Sequence, residues 1–114
     1  MKLDRIAEQL GLELLTEGLE PGVEIAGGYT GDLLSNVLAV AQPGDLWITI
    51  QHHANVVAVA QVAGLSAVIL ANGVHPGDAM LQKARSAGVP ILASGDPAFV
   101  LSGKLYALLA AEGR

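Results

Sequence analysis

The sequence predicts a small three-layer α/β domain, a mostly parallel sheet made of repeated βα units. Three observations predict it. Short apolar runs rich in β-branched residues alternate with longer amphipathic or alanine-rich segments. Glycine stands just ahead of successive strand candidates, in Gly44-Asp-Leu-Trp-Ile-Thr, Gly64-Leu-Ser-Ala-Val-Ile-Leu and Gly88-Val-Pro-Ile-Leu-Ala, where it reads as the end of a preceding helix. Finally, 52% of the 114 residues are hydrophobic and only 15% are charged. A sheet covered by helices on both faces absorbs such a surplus. Strand alternating with helix implies parallel pairing and right-handed crossovers. The expectation is three or four parallel strands, an antiparallel edge from the N-terminal region, and one domain over residues 1–114, a length too short for two.

The elements follow in order. Leu3, Ile6, Ala7 and Leu10 share one face of a short helix that Gly11 ends. Residues 12–16 alternate weakly and suit an edge strand. Residues 17–22 are turn material, and Val23-Glu-Ile-Ala26 alternates as a strand with one face in the core. Gly27-Gly-Tyr-Thr-Gly-Asp32 reads as a loop that lets another segment or a ligand come close. Residues 33–41 form a short helix, and Pro43-Gly-Asp45 turns into the central strand over residues 46–50. Trp47 inside that strand belongs to the core or an interface. The polar turn Gln51-His-His-Ala-Asn55 leads into a helix ending at Gly64. A buried strand follows over residues 65–71, then the loop Asn72-Gly-Val-His-Pro-Gly77 and a helix over 78–87. The last unit is a strand over 89–93, the loop Ser94-Gly-Asp-Pro97 and a helix to about residue 111, with Asp96 as N-cap and Pro97 as first helical residue. Pro90 sits at a strand start, where a missing N–H costs little.

Parallel strands deliver their following loops to one edge, and ligands of open α/β sheets bind there. The residues expected to meet at that rim are Thr30, Asp32, Gln51, His52, His53, Asn55, Asn72 and Ser94. All three histidines of the chain, His75 included, lie in these loops, and helix N-termini facing the same edge favour anions. Structural roles compete with ligand roles throughout. Asn72 and Asp96 suit turns and caps, and Asp32 with Ser35 suits a cap of the helix over 33–41. His52 and His53 are adjacent, so extended backbone would send them to opposite sides, and their spacing matches no metal signature.

Composition narrows the function classes. The net charge is −5, and the six Lys and Arg are scattered, so no phosphate-tracking basic surface is expected and nucleic acid is not a partner. Aromatic residues make up 4%, too few for a base-stacking platform. No apolar run approaches membrane-spanning length, and Met1-Lys-Leu-Asp-Arg has no apolar signal core. With no cysteine there is no disulfide or thiolate chemistry, which fits a cytoplasmic protein. No Gly-x-Ser-x-Gly elbow exists. Ser102-Gly-Lys104 lacks the glycine a phosphate-binding loop needs at position 98, which is alanine, and it lies in a helix. No metal or cofactor is expected.

The segments Gly27-Gly-Tyr-Thr-Gly-Asp-Leu-Leu-Ser-Asn-Val-Leu-Ala, Gly44-Asp-Leu-Trp-Ile-Thr, Asn55-Val-Val-Ala-Val-Ala, Ala67-Val-Ile-Leu-Ala-Asn-Gly and Val89-Pro-Ile-Leu, in that order, resemble a stand-alone DRTGG domain. No literal Asp-Arg-Thr-Gly-Gly run is present. Such domains are similar to the N-terminal domain of HPr kinase/phosphorylase, and occur beside CBS domains in some pyrophosphatases and in some phosphotransacetylases. The resemblance implies an accessory, regulatory or oligomer-forming module, because the chemistry of those hosts lies in other domains. The leading expectation is a non-catalytic regulatory domain that forms a homodimer and binds a small anionic metabolite or nucleotide at the carboxyl edge. A module that docks on a partner protein without a small ligand is the alternative. A small enzyme with His52 or His53 as general base, assisted by Asp96 or Asp32, is a third reading.

Overall fold

The computed structural model describes residues 1–20 and 22–113. Its elements are α1 (Leu3–Leu10), β1 (Glu13–Leu14), β2 (Gly27–Thr30), α2 (Leu34–Val40), β3 (Asp45–Thr49), α3 (Asn55–Ala63), β4 (Ala67–Leu70), α4 (Asp78–Ala87), β5 (Ile91–Ala93) and α5 (Ala98–Ala111). The strands form one five-stranded sheet in the order β1-β5-β4-β3-β2. β2 to β5 run parallel, and β1 closes the far edge antiparallel to β5, pairing Glu13 with Ala93 and Leu14 with Leu92. This is the expected three-layer α/β architecture, with four parallel strands and an N-terminal antiparallel edge.

Alternation along the strands builds two cores. Leu46 and Ile48 of β3, Ala67 and Ile69 of β4, and Leu92 of β5 pack with α1 and α5 through Leu3, Ile6, Leu101 and Leu105. Trp47, Val68, Leu70 and Ile91 point the other way, against α3 and α4 through Val56, Val57, Met80 and Ala84. Because both faces are covered, every residue of β3 and β4 is buried. Trp47 is wholly buried and donates its indole N–H to the Gly31 carbonyl at 2.8 Å, so it is a core residue with its one polar atom satisfied.

The helices α1, α3 and α4 end in glycines with positive φ, Gly11, Gly64 and Gly88. Gly44 does not follow this pattern. α2 stops at Ala41 in extended backbone, and Gly44 (φ +88°) belongs to the turn that Asp45 closes by accepting the Gln42 amide at 2.9 Å.

The main departure from expectation lies before β3. Val23–Ala26 is not a strand of the sheet. It makes a single antiparallel bridge between Lys2 and Glu24, with Ile25 buried and its amide bonded to the Met1 carbonyl. The edge strand is the glycine segment itself, with Gly27 to Thr30 paired to Asp45 to Ile48. Close packing selects the glycines. A Cβ on Gly27 would lie 2.8 Å from Asp45 Oδ1, and one on Gly28 would lie 3.0 Å from Leu105 Cδ2 on α5. The segment that comes close to these glycines thus belongs to the chain itself.

Candidate functional site

Each parallel strand ends on the same edge, and α2, α3, α4 and α5 start there. None of these four helices carries a side-chain cap, their N-cap residues being Leu33, Ala54, Gly77 and Pro97. No side chain satisfies their first amides, although in α3 the Val56 and Val57 amides bond to the His53 and Ala54 carbonyls, and in α2 the Asn36 amide bonds to the Leu33 carbonyl. Two expected caps are therefore not made. Asp96 does not cap α5, because Pro97 is the N-cap and Ala98 the first helical residue; its carboxylate instead pairs with Lys104 at 3.1 Å. Asp32 and Ser35 do not cap α2. Asp32 Oδ1 accepts from Thr49 Oγ1 at 2.7 Å and from the Ile50 amide at 2.9 Å, and its carbonyl accepts from Gln51 Nε2 at 2.9 Å. The acid ties the end of β2 to the end of β3.

Chain direction explains how the edge is divided. The strands β2, β3, β4 and β5 succeed one another in a single direction across the sheet. Right-handed crossovers then put α2, α3 and α4 on one face. Only after β5 does the chain cross to the other face, as α5. The connections leave in opposite directions at one place only, between β4 and β5, where an α/β fold opens a crevice. A cleft of about 210 Å³ lies beside it, lined by Gly73, Val74, His75, Ser94 and Gly95, with Gly11 and Glu13 at its far wall. The two loops nevertheless bridge each other, with the Asn72 amide on the Asp96 carbonyl at 2.8 Å and the Gly73 amide on the Ser94 carbonyl at 2.9 Å. Asn72 adopts φ +61°, so it does act as a turn former.

The expected rim residues fall into two groups on this edge. Thr30, Asp32, Gln51, His52, His53 and Asn55 surround the ends of β2 and β3. Asn72 and Ser94 lie at the ends of β4 and β5. Several of their polar atoms serve the fold. Gln51 binds Asp32, and Ser94 Oγ accepts the Asp96 amide at 3.0 Å. Thr30 faces α5, where its hydroxyl meets Ser102 Oγ at 2.6 Å. His52 and His53 are exposed, and they do not diverge. Their rings stack with centroids 5.1 Å apart and planes 20° from parallel, because the chain bends at His53 on its way into α3. Asn55 is the exposed first residue of α3. No group of three or more His, Asp or Glu suited to a metal occurs among the described residues.

A second cleft, of about 160 Å³, opens between β2 and α5, where residue patterning announces none. Gly28, Thr30, Ile48, Ser102, Leu105 and Tyr106 line it. Its one signal was Gly28, whose missing side chain leaves room beside Leu105.

A solved structure of the CBS and DRTGG domains of the regulatory region of Clostridium perfringens pyrophosphatase, complexed with activator diadenosine tetraphosphate, matches 91% of this chain with a TM-score of 0.69. The fold is DRTGG-like. Sequence identity is 18%, so the likeness is one of fold, and this chain spans 45% of the length of that one. No family model and no curated protein matches the sequence. Within the DRTGG-like fold, no helix among the described residues is long and apolar enough to cross a membrane.

Proposed function

We propose that this chain is a non-catalytic regulatory module that binds a small anionic metabolite or nucleotide at the carboxyl edge of its sheet. The observation that carries this reading is the start of four uncapped helices on one edge, with His52, His53 and Asn55 at the start of α3. Backbone amides at a helix start and adjacent imidazoles form a surface suited to phosphate or carboxylate. α3 has no acid in its first turn, whereas α4 begins at Asp78, so the imidazoles and the Asn55 amide at the start of α3 meet an anion with no like charge beside them. The fold neighbour is itself a regulatory region crystallised with an activating nucleotide, which supports the same class of role here. A catalytic reading finds less support, since the carboxylates of Asp32 and Asp96 are held by Thr49, Ile50 and Lys104 rather than by a histidine. A cysteine-free chain suits a reducing, cytoplasmic setting.

The test is a thermal-shift screen against nucleotides and phosphorylated metabolites, on the native chain and on His52→Ala and His53→Ala. At least one ligand raises Tm, and both substitutions reduce the rise. If no ligand in the screen moves Tm, the ligand half of the reading fails.

Exposed apolar side chains favour an oligomeric form of the same module. α2 and α3 pack together, and Leu38, Val40 and Val62 stay exposed on them, Val62 at 79%. A homodimer through this surface is the arrangement proposed, with docking on a partner protein as the alternative. Sedimentation at micromolar concentration shows a dimer that Val62→Glu dissociates; a monomeric native chain contradicts it.

A further inference from the structure

We infer that the cleft between β2 and α5 takes an amino-substituted heteroaromatic ring of the adenine type. This rests on the nucleotide-responsive reading given above and names the part of the ligand that the carboxyl edge does not recognise. Two hydroxyls set the polarity of the cleft. Ser102 Oγ donates its only proton to the Ala98 carbonyl at 2.7 Å. At its 2.6 Å contact with Thr30 Oγ1, Ser102 must therefore accept, and Thr30 must donate. Both hydroxyl protons are used, and Thr30 Oγ1 keeps free lone pairs. The hydroxyl pair presents acceptors and no donor, so it selects a ligand that turns an amine N–H, and not a carbonyl, toward it.

The walls fit a flat ring. Ile48 and Leu105 are buried and apolar, and Gly28 has no side chain to intrude. Tyr106 stands at the mouth, 77% exposed, with a free aromatic face on which a base can stack. A dry cavity of about 150 Å³ takes up a single benzene ring, so about 160 Å³ suits one ring system and not a ring with its sugar. β2 has a neighbour on one side only, so half of its N–H and C=O groups lack a strand partner. Alternating backbone donors and acceptors match a ring nitrogen beside an exocyclic amine. Among the described residues no charged side chain lines the cleft, so it offers no partner for the phosphates of a nucleotide.

The experiment is a titration of the ¹⁵N-labelled chain, followed by amide chemical shifts, with adenosine and with inosine as probes. Adenosine moves Gly28, Thr30, Ser102 and Tyr106 saturably. Inosine, which places an acceptor where adenosine has its amine, binds roughly tenfold more weakly, the effect of one hydrogen bond left unmade. Thr30→Val brings adenosine down to the level of inosine. Ser102→Ala frees the Thr30 proton and lets inosine approach adenosine. Tyr106→Ala, at an exposed position that leaves the core intact, weakens both nucleosides.

Equal binding of the two nucleosides, unchanged by Thr30→Val, overturns the proposal. So do shifts at Gly27 to Thr30 that depend on protein concentration without ligand, since a second copy would then occupy the edge. If nucleotides move the amides of residues 52–55 while no nucleoside moves the cleft, this inference fails and the regulatory reading stands. If neither probe class moves any amide, both fail.

Discussion

Removal of the Asp32 carboxylate tests how the candidate edge is held together. Its Oδ1 accepts from Thr49 Oγ1 at 2.7 Å and from the Ile50 amide at 2.9 Å. Thr49 is 1% exposed, so Asp32→Ala leaves a buried hydroxyl without its acceptor. Hydrogen bonds to a charged group contribute about 1.5–3 kcal/mol, and an orphaned buried polar group costs about 1–3 kcal/mol. The Ile50 bond is solvent-exposed and recoverable by water, so the Thr49 contact dominates. The expected loss is about 2–3 kcal/mol for Asp32→Ala and about half of that for Asp32→Asn, which keeps a neutral acceptor. Urea unfolding reads it through Trp47, the only tryptophan, whose indole bonds to the carbonyl of Gly31 beside Asp32. The midpoint should fall with the slope unchanged. Thr49→Val removes the hydroxyl, so the double variant should be more stable than the sum of the singles predicts by about 1–2 kcal/mol. A loss for Asp32→Ala below about 0.5 kcal/mol, or strict additivity, would refute the assignment of Asp32 as the tie between β2 and β3.

Three further outcomes follow from the same geometry. Gly88→Ala, at φ +74° with open space around the missing Cβ, should cost about 1–2 kcal/mol from backbone strain alone, read as a lower Tm. Asn72 sits at φ +61°, so Asn72→Gly should keep native stability while Asn72→Ala loses about 1 kcal/mol, making Asn72→Gly the correct variant for ligand tests at this position. The Lys104–Asp96 pair is half-exposed on both sides, so Lys104→Ala should change stability by less than about 0.5 kcal/mol, and less still in high salt.

Much of the fold was legible because it depends on periodicity. The continuous apolar runs at β3 and β4 announce strands covered on both faces, and Gly64 and Gly88 mark where helices stop. β2 was not legible, because glycine has no strand preference of its own. What places Gly27 and Gly28 in the sheet is the nearness of Asp45 and Leu105, 18 and 77 positions further along the chain. The alternation at Val23–Ala26 reports a real burial of Ile25, yet its partner is the chain start and not the sheet. The candidate edge was legible as a set of loops and not as contacts. Asp32 reads as a helix cap by its position before α2, and only the fold brings Thr49 to it. The histidine pair diverges only on an extended backbone, and the bend at His53, which adjacent residues do not announce, stacks the two rings instead.

The most direct test of the carboxyl edge as the ligand surface is a crystal structure of the chain grown with the nucleotide that gives the largest rise in Tm. Phosphate density should lie at the start of α3, against Asn55 and within reach of His52 and His53. Phosphates bound at the opposite edge, beside Asp45 and Ser66, would contradict the account.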